Sequence, residues 1–163
     1  MDTVLITGIT GYVGSHVGKQ LLEGYSDRFK LRVTVRNVKK LEPLRKEYGD
    51  ELFAKLDVRV ADLLDKEALA ASVDGCQYII HLANPVVGTQ FQNEEEMVRP
   101  AREGMQTLLE AAERYKVCKM IVTSSMINMV GNVWKRATGD HHYTEMDYAP
   151  YYESDAYTKS KIA

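Results

Sequence analysis

The sequence has little of what marks several large protein classes. Only two cysteines occur, Cys76 and Cys118. Neither stands in a C-x-x-C pair or another metal-ligand spacing, so no metal is expected and both read as reduced thiols of a cytoplasmic protein. No apolar run approaches the roughly 20 residues that cross a bilayer. Met1-Asp2-Thr3 leads directly into a short apolar strand pattern, without the basic stretch, long apolar stretch and cleavage site of a secretory signal.

No charge of one sign dominates. The 21 Lys and Arg are set against 23 Asp and Glu, a formal net charge of -2 spread along the chain. A polyanionic partner calls for a concentrated basic patch, and an anionic membrane surface calls for a basic helix, so neither nucleic acid nor membrane is an expected partner. Low-complexity tracts and Pro/Gly/Ser-rich linkers are missing too, and 163 residues suffice for one sizeable core. The chain therefore reads as one domain, residues 1–163.

What is present is an alternation of short β-rich runs with longer segments of helical period. Thr3 to Thr7 predicts a strand and Tyr12 to Leu22 a helix. Leu31 to Arg36, Asp57 to Ala61, Gln77 to Leu82 and Lys119 to Thr123 predict four further strands. Helices are expected over about Val38 to Tyr48, Lys66 to Val73 and Glu94 to Tyr115, the last capped by Asn93 and kinked at Pro100. Strands joined this way lie parallel, with helices on both faces of the sheet, and such sheets take ligands at the carboxyl ends of their strands. From Asn132 to Asp155 the pattern dissolves into a polar and aromatic stretch too long for an ordinary connection.

Gly8-Ile9-Thr10-Gly11-Tyr12-Val13-Gly14 follows the first strand and opens the first helix, the context in which a G-x-x-G-x-x-G spacing carries meaning. A turn that brings backbone N–H groups against a pyrophosphate has no room for side chains at Gly8 or Gly11, and Gly14 lets the helix approach the sheet. The helix start then attracts phosphate. A tight strand-to-helix turn with no ligand is the plainer alternative.

At the end of the second strand, an acid that would accept from ribose hydroxyls is missing. Val35-Arg36-Asn37 stands there instead, followed by Lys39-Lys40. A guanidinium fork suits a 2′-phosphate and an ammonium adds a second charge, so Arg36 and Lys40 point to NADP rather than NAD, against the alternative of a solvated basic face. Asp62-Leu63 ends the third strand, where the carboxylate accepts from an adenine amino group or caps the following helix.

Tyr157-Thr158-Lys159-Ser160-Lys161 places a phenol and an ammonium four residues apart, on one face of a helix. A free phenol, with a pKa near ~10, is a poor proton donor or acceptor at neutral pH, and a neighbouring cation favours its ionised form. A surface contact is the alternative. Val122-Thr123-Ser124-Ser125 ends the fifth strand. Ser125 is the candidate to hold a carbonyl oxygen beside the tyrosine, while Ser124 is expected to satisfy backbone groups. His81 reads as a packed strand-end residue.

Val4 to His16, Thr34-Val35-Arg36, Ala61-Asp62-Leu63, His81-Leu82-Ala83-Asn84-Pro85, Thr123-Ser124-Ser125 and Tyr157 to Lys161 together resemble the extended short-chain dehydrogenases/reductases. The likeness is in particular to the branch of dihydroflavonol reductases, cinnamoyl-CoA reductases and related carbonyl reductases. The resemblance covers essentially the whole chain. It implies a Rossmann-type doubly wound α/β fold and an NADPH-dependent reduction of a small carbonyl substrate. Tyr157 is then the proton donor, Lys161 orders the nicotinamide ribose and tunes the phenol, and Ser125 polarises the carbonyl. Gly8, Thr10, Gly11, Tyr12, Val13, Gly14, Arg36, Lys40, Asp62, Leu63 and Ala83 hold the cofactor, with Tyr157 and Lys161 reaching it. Thr144 to Tyr148 resembles the acidic-aromatic segment before the catalytic helix.

Two departures stand out. Arg102-Glu103-Gly104 lacks the asparagine that relatives usually place before this glycine. The family also continues beyond the point of Ala163 into a carboxyl-terminal substrate domain. This chain is therefore expected to be the amino-terminal part of the nucleotide domain, with one flank of its sheet left for a homo-oligomer partner or a further segment to cover. Two other functions share the fold: a non-catalytic nucleotide-binding subunit or sensor, and a nucleotide-sugar epimerase or dehydratase. The latter tend to retain NAD, which Arg36 disfavours.

Overall fold

The computed structural model describes residues 1–85, 93–130 and 142–162. These fall into two compact units, Met1–Ala83 with Gly104–Thr123, and Asn84–Glu103 with Ser124–Ala163.

The first unit is a parallel five-stranded sheet. Its strands are β1 (Asp2–Thr7), β2 (Phe29–Val35), β3 (Leu56–Val60), β4 (Tyr78–His81) and β5 (Lys119–Val122), arranged in the order β3-β2-β1-β4-β5. Central β1 pairs with β2 from Asp2↔Phe29 to Thr7↔Thr34 and with β4 from Val4↔Tyr78 to Thr7↔His81. Successive side chains of a strand point to opposite faces, so Val4 and Ile6 enter one core and Leu5 the other. The first core joins them to Leu22 of α1 (Tyr12–Tyr25), to Leu31, Val33 and Val35 of β2, and to Leu44 and Tyr48 of α2 (Glu42–Phe53). The second joins Leu5 and Ile79 to Leu69 and Val73 of α3 (Lys66–Val73) and to Leu108 and Ala111 of α4 (Glu95–Arg114). Leu5, Ile6 and Ile79 are fully buried, each contributing roughly 1.5–3 kcal/mol of transfer free energy. This two-sided burial goes with the continuous apolar run of β1, and the parallel sheet is the one expected from the βα rhythm, in the Rossmann-type arrangement that the family resemblance implies.

The segment after β2 departs from the expected single helix. Val38–Leu41 is a 3-10 turn capped by the Asn37 side chain, which accepts from Lys39 N–H at 2.9 Å. Pro43, which has no N–H to give, then stands in the first turn of α2. The helical run is interrupted at Gly49, whose φ of 75° no helix interior adopts. That break follows Tyr48, the end the periodicity indicated. Pro100 lies inside α4, where it removes the bond to the carbonyl four residues back. At the far side of the sheet β5 is an edge strand, with Ile121 and Val122 about half exposed.

In the second unit, two short helices carry the residues of interest. α5 (Ile127–Val130) follows the Ser124-Ser125 pair, and its four residues are too few for helical period to register in the sequence. α6 (Ala156–Ile162) carries the Tyr-x-x-x-Lys spacing, as expected, and Asp155 caps it by accepting from Thr158 N–H at 2.7 Å. Residues 131–141, which include the first part of the Asn132 to Asp155 stretch, lie outside the described residues. Within the rest, Asp147 Oδ2 accepts from the backbone N–H and hydroxyl of Thr144, folding the acidic-aromatic segment into a local turn.

Candidate functional site

Because the strands are parallel, the residue that follows each one emerges at the same edge of the first unit's sheet. Gly8 after β1, Arg36 after β2, Asp62 near the end of β3 and Ala83 near the end of β4 meet there. Gly8 has a φ of +79°, and a Cβ on it would stand 2.7 Å from the backbone nitrogen of Ala83. Both facts demand glycine. A Cβ on Gly14 would collide with the carbonyl oxygen of Gly8, so this glycine allows the start of α1 to close on the turn before it.

Gly11 N–H donates to Gly8 O at 3.0 Å, closing that turn, and Gly11 is the N-cap of α1 without supplying a capping side chain. No acidic residue occupies the first helical turn. The first turn of α1 therefore presents backbone N–H groups and the positive end of the helix dipole, the two features that favour an anion. Tyr12 and Val13 are exposed around it. Thr10, Gly11 and Tyr12 form one wall of a groove, with Lys40, Pro43 and Glu47 on the other. The 3-10 turn capped by Asn37 is what brings Lys40 to this wall. A chemistry of glycine cradle, helix start and the cation Lys40 on the opposite wall fits the phosphates of a dinucleotide.

Arg36 is exposed, and its Nε lies 3.8 Å from Asp62 Oδ2. Asp62 Oδ1 accepts from Leu64 N–H at 2.9 Å. The helix-capping alternative for Asp62 does not hold, because the N-cap of α3 is Asp65, whose side chain accepts from Ala68 N–H. Leu63 packs where a Cβ on Gly104 would press within 2.9 Å of its side chain, which gives the glycine of the departing Arg102-Glu103-Gly104 segment a packing role. His81 is buried, with Nδ1 2.6 Å from Thr7 Oγ1, and the same hydroxyl oxygen accepts from Ala83 N–H. This is the packed strand-end role expected of it.

The second unit brings Ser125, Tyr157 and Lys161 into one compact body. Ser125 is half-buried, and its Oγ accepts a long hydrogen bond, 3.4 Å, from Ile127 N–H. Its own O–H hydrogen is thereby directed elsewhere. Tyr157 and Lys161 are half-buried on α6, one turn apart. Burial lowers the Lys161 ammonium below the ordinary lysine value, because removing water disfavours its charged form. Three further contacts hold α6. Asn84 Nδ2 donates to Ser160 Oγ at 3.2 Å, Ser160 Oγ donates to Tyr157 O at 2.7 Å, and Lys159 Nζ pairs with Glu94 Oε2 at 2.8 Å.

Sequence reasoning missed Asn128. It is buried on α5, and its Nδ2 donates to Ser124 Oγ at 2.8 Å and to the backbone carbonyl of Lys161 at 2.9 Å. The available signal was an amide four residues beyond Ser124, on a helix too short to be seen. Among the described residues no helix is long and apolar enough to cross a membrane.

Comparison with known proteins agrees with this geometry. The family model described as the NAD dependent epimerase/dehydratase family matches residues 4–163. Cinnamoyl-CoA reductase 2 of Arabidopsis thaliana is 39% identical over 126 residues, 76% of this chain and 35% of that protein. Dihydroflavonol 4-reductase of Dianthus caryophyllus is 35% identical over 130 residues, 76% of this chain and 34% of that protein. The crystal structure of yeast methylglyoxal/isovaleraldehyde reductase complexed with NADPH superposes with a TM-score of 0.79 at 22% identity, covering 98% of this chain and 49% of that one. The chain thus spans about a third to a half of the length of these proteins. A glycine turn at the head of α1, a parallel sheet in the order 3-2-1-4-5 and a family match over nearly its whole length place this chain in the NAD-dependent epimerase/dehydratase family, the extended short-chain dehydrogenases/reductases, on the branch of the cinnamoyl-CoA and dihydroflavonol reductases.

Proposed function

We propose that this chain is the amino-terminal part of the nucleotide domain of an NADPH-dependent carbonyl reductase acting in the cytoplasm on a small aldehyde or ketone. The observation that carries the reading is the presence of Ser125, Tyr157 and Lys161 together in one compact unit, with tyrosine and lysine one turn apart on α6. The cradle of Gly8, Thr10, Gly11, Tyr12, Val13 and Gly14 holds the diphosphate. Arg36 and Lys40 hold the 2′-phosphate as charge-assisted contacts. Asp62 and Leu63 would hold the adenine, and Ala83 would hold the cofactor where β4 ends.

When bound, NADPH supplies the hydride that the carbonyl carbon accepts. Ser125 donates its O–H to the carbonyl oxygen, which draws electron density from that carbon. Tyr157 gives its phenolic proton to the same oxygen as negative charge develops there, so the carbonyl becomes an alcohol and the phenol is left as phenolate. The cationic Lys161 stabilises that phenolate and orders the nicotinamide ribose. Branch relatives named for cinnamoyl-CoA and dihydroflavonol reduction support a carbonyl as the reacting group.

The test is a parallel titration of the protein with NADPH and NADH by thermal shift and fluorescence, since a ligand that binds the folded state raises its apparent stability. It is followed by NADPH oxidation assays with methylglyoxal, isovaleraldehyde and a dihydroflavonol. Selective stabilisation by NADPH with turnover of at least one carbonyl is expected. Selective NADPH binding with no turnover of any carbonyl would instead identify a nucleotide-binding subunit.

A further inference from the structure

Asn128 is an expensive residue for its position. It is 8% exposed, and its Oδ1 has no hydrogen-bond partner among the described residues. A buried unpaired amide oxygen costs roughly 1–3 kcal/mol, whereas an aliphatic side chain of similar size there would cost nothing of the kind. The compensation lies in the other half of the amide. Nδ2 uses both of its hydrogens, one on Ser124 Oγ at 2.8 Å and one on the backbone carbonyl of Lys161 at 2.9 Å. A peptide carbonyl only accepts, so the amide has to present nitrogen, and not oxygen, to Lys161.

These two bonds join two segments that are 36 residues apart in sequence, the difference between Lys161 and Ser125. One carries the proposed carbonyl-polarising hydroxyl and the other the proposed proton donor and its cation. The main chain of Asn128 is held on its own side of that junction: its N–H donates to Ser125 O at 3.0 Å, and its carbonyl accepts from Ala149 N–H at 2.6 Å. Two other ties on α6, from Asn84 to Ser160 and from Glu94 to Lys159, attach the helix elsewhere and do not touch the serine pair.

We propose that Asn128 is a positioning residue of the carbonyl-reducing site, its side-chain amide fastening the Ser124-Ser125 segment to α6 at Lys161 and so fixing the placement of Ser125 relative to Tyr157 and Lys161. The proposal rests on the reductase reading given above. Proton donor and hydrogen-bond donor must meet at one carbonyl oxygen, and a misplacement of about 1 Å costs on the order of 10²-fold in rate. Asn128 touches neither substrate nor cofactor in this account. It acts through the two residues it joins.

Substitution by alanine removes only the side-chain tie and keeps both main-chain bonds. In the protein as its gene encodes it, assayed on whichever of methylglyoxal, isovaleraldehyde and dihydroflavonol turns over fastest, Asn128→Ala should lower kcat by roughly 10- to 100-fold. KM and the NADPH dissociation constant should stay within about threefold. Asn128→Asp keeps the size but sets an acceptor against the Lys161 carbonyl, and should lower kcat at least as far. Ser124→Ala, which removes the acceptor of one Nδ2 hydrogen and leaves the bond to the Lys161 carbonyl in place, should lower kcat less. Combined with Asn128→Ala it should add less than its separate effect, because the two act through one bond. A kcat for Asn128→Ala within threefold of the parent overturns the proposal, as does a loss that tracks NADPH affinity and Tm alone. Should Asn128→Ala fail to fold, Ser124→Ala decides: a reduced kcat with NADPH affinity within about threefold of the parent supports the tie, and an unchanged kcat overturns it. A parent protein that binds NADPH and reduces no carbonyl contradicts the reductase reading, and this inference falls with it.

Discussion

Arg36 Nε lies 3.8 Å from Asp62 Oδ2, joining the ends of two neighbouring parallel strands at the edge where the glycine turn also emerges. Both side chains are well exposed, at 64% and 41%, and an exposed pair at this separation contributes about 0.5 kcal/mol or less. The contact is therefore too weak to commit the guanidinium, which stays exposed at the strand ends.

Removing that guanidinium should separate the two nicotinamide cofactors. A charge-assisted hydrogen bond is worth about 1.5–3 kcal/mol, or roughly 10- to 100-fold in affinity. Arg36→Ala is expected to weaken NADPH by that factor and NADH by less than about threefold, read by fluorescence titration. An equal loss for both cofactors would reject the 2′-phosphate contact.

Gly14 tests the cradle itself. A Cβ there runs into the Gly8 carbonyl, and two backbone segments cannot move apart without opening the turn. Gly14→Ala should cost on the order of 1–3 kcal/mol as an overpacking strain and should abolish stabilisation by NADPH. Gly24→Ala, where a Cβ meets nothing within 4 Å, is the matched control. It should raise stability slightly through helix propensity. Indistinguishable melting curves for the two variants would show that the close approach is not a constraint.

A third expectation concerns pH. Tyr48 is buried and donates its hydroxyl to the carbonyl of Ser15 in α1, and burial pushes its phenol up to about 12 from 10.0. Between those values the unfolded chain releases a proton that the folded chain keeps. Stability from this group is therefore fully present below pH 10 and is lost as pH rises toward 12. At neutral pH, Tyr48→Phe should cost roughly 1 kcal/mol for the lost hydrogen bond. By about pH 11 the parent has lost roughly 1.4 kcal/mol that phenylalanine cannot lose, so the gap in urea unfolding should close. A gap that stays constant across that range would mean that Tyr48 titrates alike in both states.

How much of this was legible in the sequence follows from the range over which each signal acts. The strands of the sheet are visible because burial on both faces forces continuous apolar runs such as Val4-Leu5-Ile6. The glycine turn is visible because backbone geometry admits no other residue at Gly8. Tyr157 and Lys161 share a helix, so spacing alone aligns them. Asn128 was not visible, since its partners are Ser124, four residues away, and Lys161, 33 residues away, and only the folded chain brings the second one near. The 3-10 turn at Val38–Leu41 escaped for a different reason: Pro43 and the Asn37 cap override a helical period that continues through them. The sequence leaves Asp62 as either an adenine contact or a helix cap, and the cap is Asp65, three residues on, because helix propensity gives no exact starting point.

The central claim is that Tyr157 gives the proton in an NADPH-dependent carbonyl reduction. The most direct test is kcat for Tyr157→Phe beside the NADPH dissociation constant of the same variant, in the protein as its gene encodes it. Loss of a general acid costs about 10²- to 10⁴-fold, so kcat should fall at least about 100-fold with NADPH affinity within about threefold of the parent. Turnover that survives the loss of the hydroxyl would contradict it.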